Sequence, residues 1–261
     1  MMEYQNISFQ ISDGVGVIKL KRSEVLNSFN FEMANEVLSA LNHLENDSNV
    51  RAIFLTGNGR AFCAGQDLEE ATKESGPTIG EIIDHTYNPL VQKISNIKKP
   101  VVCYVNGVAA GAGANLAICC DVTFAAKSAK FIQSFINIGL IPDSGGTYNL
   151  PRSIGKQKAA GLMFSGEKIT AQEAENMGMI YKMVADDIGY QLAFDFARKL
   201  SKMPTKSIGL IKELLNKSYF NDLSQQLTEE RKLQVIAAQT NDYKEGVNAF
   251  FEKRKPNYKG E

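Results

Sequence analysis

The feature that most restricts this chain is one local pattern used several times: a short apolar run, a turn nearly bare of side chains, and a helix. Residues 50–57 (VRAIFLTG) form such a run, ended by glycine, and read as a buried strand. Residues 87–97 read as a helix, 100–105 (PVVCYV) as a strand, and Asn106-Gly107 closes it. A third round places a helix at about 113–119 and a strand at 121–126 (DVTFAA). Strand, loop and helix repeated with a shift predict an α/β fold of stacked β-β-α turns rather than a simple hairpin sheet. Ahead of these rounds, residues 5–12 and 15–20 flank Asp13-Gly14 and predict a hairpin. Residues 31–46 place Met33, Val37, Leu41 and Leu44 on one helical face.

Beyond Pro151 the pattern turns helical, with segments at 156–166, 170–178, 188–202, 207–217, 222–238 and 241–253. Thr170 with Glu173 three residues on is a capping-box signature. A boundary falls near 195–205, which divides the chain into a spiral core over 1–200 and a helical module over 201–261. The tail KRKPNYKGE is polar and is expected to be loose.

Composition removes several functional classes. Acids and bases balance at 29 each, so no overall field draws the chain to nucleic acid or to an anionic membrane. No apolar run is long enough to cross a bilayer, and the start MMEYQNISFQISDG lacks the regions of a signal peptide. The four cysteines (Cys63, Cys103, Cys119, Cys120) sit in apolar strings without metal spacing and read as buried thiols of a cytoplasmic protein. The only histidines, His43 and His85, lie far apart, so neither a histidine triad nor a metal site is expected.

Three stretches carry chemistry. Residues 59–68 (GRAFCAGQDL) and 106–115 (NGVAAGAGAN) each follow a strand and open a helix with hardly any side chain. Either turn alone reads equally as tight packing. Together they make a pair of backbone N–H donors for one oxygen. Neither stretch matches the dinucleotide or phosphate-loop fingerprints. The third, residues 139–147 (GLIPDSGGT), sets Asp143 among apolar residues, proline and glycine. Its plain alternative is a cap for the helix that begins near Gly146.

In combination, FCAGQDL, NGVAAGAGANLA, CCDVTFAAKSAKF, GLIPDSGGTYNLPRSIG and the segment from Ala171 to Ile180 resemble the crotonase (enoyl-CoA hydratase/isomerase) superfamily over essentially the whole chain. Within it, IPDSGGT and DYKEGVNAFFEKRKP resemble the ring-1,2-epoxyphenylacetyl-CoA and Δ3,Δ2-enoyl-CoA isomerase members. The resemblance implies a crotonase-like spiral with a helical C-terminal module that assembles as a homotrimer or dimer of trimers. The substrate would be an acyl-CoA thioester. Coenzyme A enters as part of that substrate and no separate cofactor is implied. The backbone amides of Gln66 and Ala112 would hold the thioester oxygen, and Asp143 would be the acid–base group. Arg22, Val25, Ala64, Gly65, Asp67, Leu68, Gly111, Phe135 and Leu140 would line the substrate. The family's lid over the acyl pocket would fall near Glu81, Asp84 and His85, whose plainer reading is a solvated helix face, and a CoA phosphate would lie within reach of Lys253, Arg254 and Lys255, whose plainer reading is a solvated tail. The family's hydratases place two glutamates where this chain has Asn115 and Phe135. The isomerase acid alone is present, as Asp143. Such a site favours shifting a double bond, or opening an epoxide ring, over adding water. A hydratase drawing on Asp67 or Glu81 and a non-catalytic acyl-CoA scaffold are the alternatives.

Overall fold

The structure, a computed structural model, describes residues 4–73 and 75–261. Its strands are β1 (Ile7–Ser12), β2 (Val15–Leu20), β3 (Ala52–Gly57), β4 (Ala61–Cys63), β5 (Val101–Val105), β6 (Val108–Ala110), β7 (Val122–Ala126), β8 (Lys130–Ile132), β9 (Lys168–Thr170) and β10 (Lys182–Val184). They form a six-stranded sheet in the order β1-β2-β3-β5-β7-β10 and a four-stranded sheet in the order β4-β6-β8-β9. In each of the pairs β3–β4, β5–β6 and β7–β8, the first strand joins the large sheet and the second the small one. The next round then lays its strands parallel beside the last. That is the predicted spiral of β-β-α turns.

The strands carry little polar alternation because both faces are covered. All of β3 and all of β5 is buried, as expected for parallel strands between layers. On one side the helix Gly189–Leu200 sets Tyr190 and Phe194 edge-on to Phe54, at 5.4 and 5.7 Å between ring centres. The helix Phe31–Asn46 buries Met33, Val37, Leu41 and Leu44, the predicted stripe, and Asn30 caps it by accepting the Met33 amide at 2.9 Å. At the β1–β2 hairpin Asp13 and Gly14 both take positive φ (52° and 76°), the conformation a two-residue turn between twisted strands requires.

Past Pro204 come the helices Thr205–Lys217, Leu223–Ala238 and Asn241–Phe251. Lys212 roots this module in the core, donating to the Ile94 carbonyl at 2.6 Å and to Asp121 at 2.8 Å. The tail is not loose as its polarity suggested. Buried Asp242 accepts the amides of Lys259 and Gly260 at 2.6 and 2.8 Å, and Arg51 donates to the Tyr258 carbonyl at 2.8 Å. The tail is held through its main chain, which its composition does not reveal. No helix among the described residues is long and apolar enough to cross a membrane.

Candidate active site

The first bare turn leaves β4 after Cys63. Ala64 donates to the Leu26 carbonyl at 3.0 Å, the Gly65 carbonyl accepts from Phe29 at 2.8 Å, and Asp67 donates back to Phe29 at 2.8 Å. This ladder skips Gln66, whose amide appears in no backbone hydrogen bond among the described residues. The second bare turn leaves β6 after Ala110. Gly111 donates to the Ile132 carbonyl at 2.9 Å. Ala112 is the first residue of the helix Ala112–Cys119, so its amide has no acceptor within that helix.

The two turns touch, and glycine makes this possible. Gly65 has φ +103°, and a Cβ there would lie 3.0 Å from the Ala110 carbonyl and 3.7 Å from the Ala112 nitrogen. A Cβ at Gly113 would lie 2.3 Å from the Cys63 carbonyl, so only glycine lets the second helix start against β4. Two unused amides thus sit on adjoining turns.

Around them lie the other residues named from the sequence. Arg22 donates to the Ser28 carbonyl at 2.6 Å and to Asp67 at 2.8 Å, stapling the 22–28 loop to the first turn. Asp67 also accepts the amides of Glu69 and Glu70, capping the helix Leu68–Ala71. Together the Arg22 guanidinium and these amides hold its carboxyl below the usual range against the cost of burial. Each charge is thereby neutralised by the other, which argues against Asp67 as a second acid. Val25, Leu68 and Leu140 are exposed apolar side chains. Phe135 is buried over Gly111, its ring 3.8 Å from where a Cβ would stand, and it belongs with Phe131 to the hydrophobic core. Glu81 is engaged in a capping box with Thr78. Arg254 is paired with Glu245.

Asp143 is half-buried and is not a helix cap. Gly145 holds the N-cap position of the helix Gly146–Ile154, with no side-chain bond. Burial pushes the Asp143 carboxyl above the ordinary carboxylate range, opposed in part by the hydrogen bond it accepts from the Ser144 hydroxyl at 2.8 Å. A base must be ionised to take a proton. With Asp143 as the proposed base, kcat/KM is expected to rise with pH along a limb displaced upward from an exposed aspartate's, and a pH–rate profile checks this. Stability runs the other way. Because the folded state holds this proton more tightly than the unfolded chain, Asp143 loses folding free energy as pH climbs from the usual carboxylate range through its raised pKa.

Sequence reading passed over Tyr87. It ends the π-turn Ile83–Tyr87, a distortion often found beside functional sites. It is buried, and its hydroxyl donates to Gln66 Oε1 at 2.7 Å. Burial raises its pKa, and the charges of nearby Cys63 and Asp143 add to the effect, so it stays a neutral donor. Nothing local in IDHTY distinguishes it from an ordinary helix face.

Comparison with known proteins points to one family. The family model described as "Enoyl-CoA hydratase/isomerase" matches residues 10–261. The chain is 44% identical to the 1,2-epoxyphenylacetyl-CoA isomerase of Escherichia coli K12, over 100% of both chains. It is 43% identical to a probable enoyl-CoA hydratase of Rhodobacter capsulatus, over 99% of this chain and 100% of the other. A crystal structure from Geobacillus kaustophilus, of an enoyl-CoA hydratase subunit, superposes with TM-score 0.93 at 33% identity, covering 100% of both chains.

Proposed function

We propose, since this chain belongs to the enoyl-CoA hydratase/isomerase family, that it is an acyl-CoA isomerase that shifts a double bond or opens an epoxide ring through a thioester enolate. Removing a proton alpha to a thioester gathers charge on the carbonyl oxygen. The amides of Gln66 and Ala112 would stabilise that oxygen more in the transition state than in the ground state. A double-bond shift needs one base, which takes a proton from C2 and returns it to C4 of the dienolate. Asp143, kept basic by burial, is suited to both steps. The ligand would lie against Ala64–Leu68 and the 22–26 loop, with its acyl end against Phe135 and Leu140.

One observation carries the choice of isomerisation over hydration. The positions that would hold and deprotonate a water are Asn115 and Phe135, neither of which ionises; Asp143 lies near enough to Tyr87 to act on its charge, and Asp67, the carboxyl on the first turn, is paired with Arg22. The hydratase reading keeps the support of relatives named as hydratases. A panel of 3-enoyl-, 2-enoyl- and epoxy-aryl-CoA thioesters, assayed for both reactions, decides between them. Rapid hydration of 2-enoyl-CoA without isomerisation would favour the hydratase, and tight binding without turnover the scaffold.

We further propose a cytoplasmic homotrimer or dimer of trimers formed through the module 201–261. Its support is the exposure of Leu223, Phe250 and Phe251 on those helices and of Phe220 in the turn between two of them, since large exposed apolar side chains grouped in one module mark association surfaces. Sedimentation at micromolar concentration is expected to give three or six chains, and a stable monomer would end this reading.

A further inference from the structure

The position of the missing hydratase carboxylate is filled by a side chain with another task. Asn115 is fully buried on the helix Ala112–Cys119, about one turn beyond Ala112. Its Nδ2 donates to the Asp143 backbone carbonyl at 2.8 Å, and its Oδ1 accepts from Gln133 Nε2 at 2.9 Å. The Asp143 carbonyl also accepts the Gly146 amide at 2.8 Å, so both of its lone pairs are engaged. A Cβ at Gly146 would fall 2.3 Å from Asn115 Nδ2, and the bare helix start is what lets the amide reach.

The orientation of this small network follows from chemistry. A carbonyl can only accept, so Asn115 must turn its NH2 group toward Asp143 and its oxygen toward Gln133. Gln133 must then answer with Nε2. Its own oxygen is left buried without a hydrogen-bond partner among the described residues, a cost of about 1–3 kcal/mol.

We propose that Asn115 is a positioning residue that locks the Asp143 loop to the helix whose first amide, Ala112, faces the thioester oxygen. The inference rests on Asp143 being the acid–base group. One side-chain hydrogen bond then fixes the distance between the base and one oxyanion donor, and misplacing reacting groups by about 1 Å costs roughly 10²-fold.

The test is a double-mutant cycle with a 3-enoyl-CoA substrate. Asn115→Ala removes the donor. Asn115→Leu keeps the branched shape but carries no polar group and cannot donate to a carbonyl. Each is expected to lower kcat by roughly 10–10²-fold with KM nearly unchanged. In an Asp143→Asn background the same changes should add almost nothing, since a loop that no longer carries a base need not be held. Gly146→Ala crowds the same amide from the opposite side, and its kcat should fall likewise if the core variants do not fold. Wild-type turnover in Asn115→Leu or Gly146→Ala, or equal losses in both backgrounds, would overturn the positioning role. Full activity in Asp143→Asn alone would instead remove the acid–base reading beneath it.

Discussion

Asp143→Asn should lower kcat for isomerisation by roughly 10²–10⁴-fold, the range for losing a positioned general base, while KM moves little. The amide keeps the volume of the carboxyl and can still accept from the Ser144 hydroxyl. It also leaves the backbone carbonyl free to accept from Asn115 and Gly146. What it cannot do is take the C2 proton. The same change should stabilise the fold at neutral pH, because it removes the penalty of ionising a carboxyl whose pKa burial has raised. Chemical denaturation of both proteins across the carboxylate range up to neutrality should show their stabilities diverging with rising pH, with Asp143→Asn the more stable. Lower activity with higher stability is a signature that simple damage to the fold does not produce. Undiminished isomerisation in Asp143→Asn would exclude Asp143 as the base.

The framework of this site was legible in the sequence because it is written in backbone constraints. A chain that places glycine and alanine at 64–65 and 111–114, after apolar strands, does so because β4, β6 and their helices approach too closely for anything larger. The 2.3 Å that a Cβ on Gly113 would leave to the Cys63 carbonyl measures that pressure. Asp143 was legible because an acid among Leu140, Ile141 and Pro142 breaks the local pattern. Residues that act across long sequence separations were not legible. Tyr87 reaches Gln66 over 21 positions and Gln133 reaches Asn115 over 18, and their own neighbourhoods look like an ordinary helix and an ordinary strand end. The tail failed for a related reason. Its lysines and asparagine carry the composition of a solvated end, while its order comes from main-chain amides that bond Asp242 and Glu245 and leave no mark in composition. The Arg22–Asp67 pair spans 45 positions and was likewise not legible.

The oxyanion half of the mechanism is best tested at Ala112, where a backbone donor can be deleted without rebuilding the helix. Proline is tolerated at the first position of a helix, because the N–H it lacks is one the helix does not use. The residue before a proline must be extended, and Gly111, at φ 52° and ψ −127°, holds the mirror image of that conformation, which a residue without a Cβ adopts freely. Ala112→Pro should therefore fold, with a circular dichroism spectrum and melting temperature close to wild type. Its turnover should drop by at least roughly 10²–10³-fold, the usual loss for one oxyanion donor, and the ring carbon standing where the N–H pointed should deepen it. Ala112→Gly keeps the donor and should keep most of the activity. The contrast between these variants matters more than either value, because both disturb the same buried spot and only one removes the N–H. If Ala112→Pro folds and turns over 3-enoyl-CoA at the wild-type rate, the thioester oxygen is not held at Ala112, and the two bare turns are packing alone.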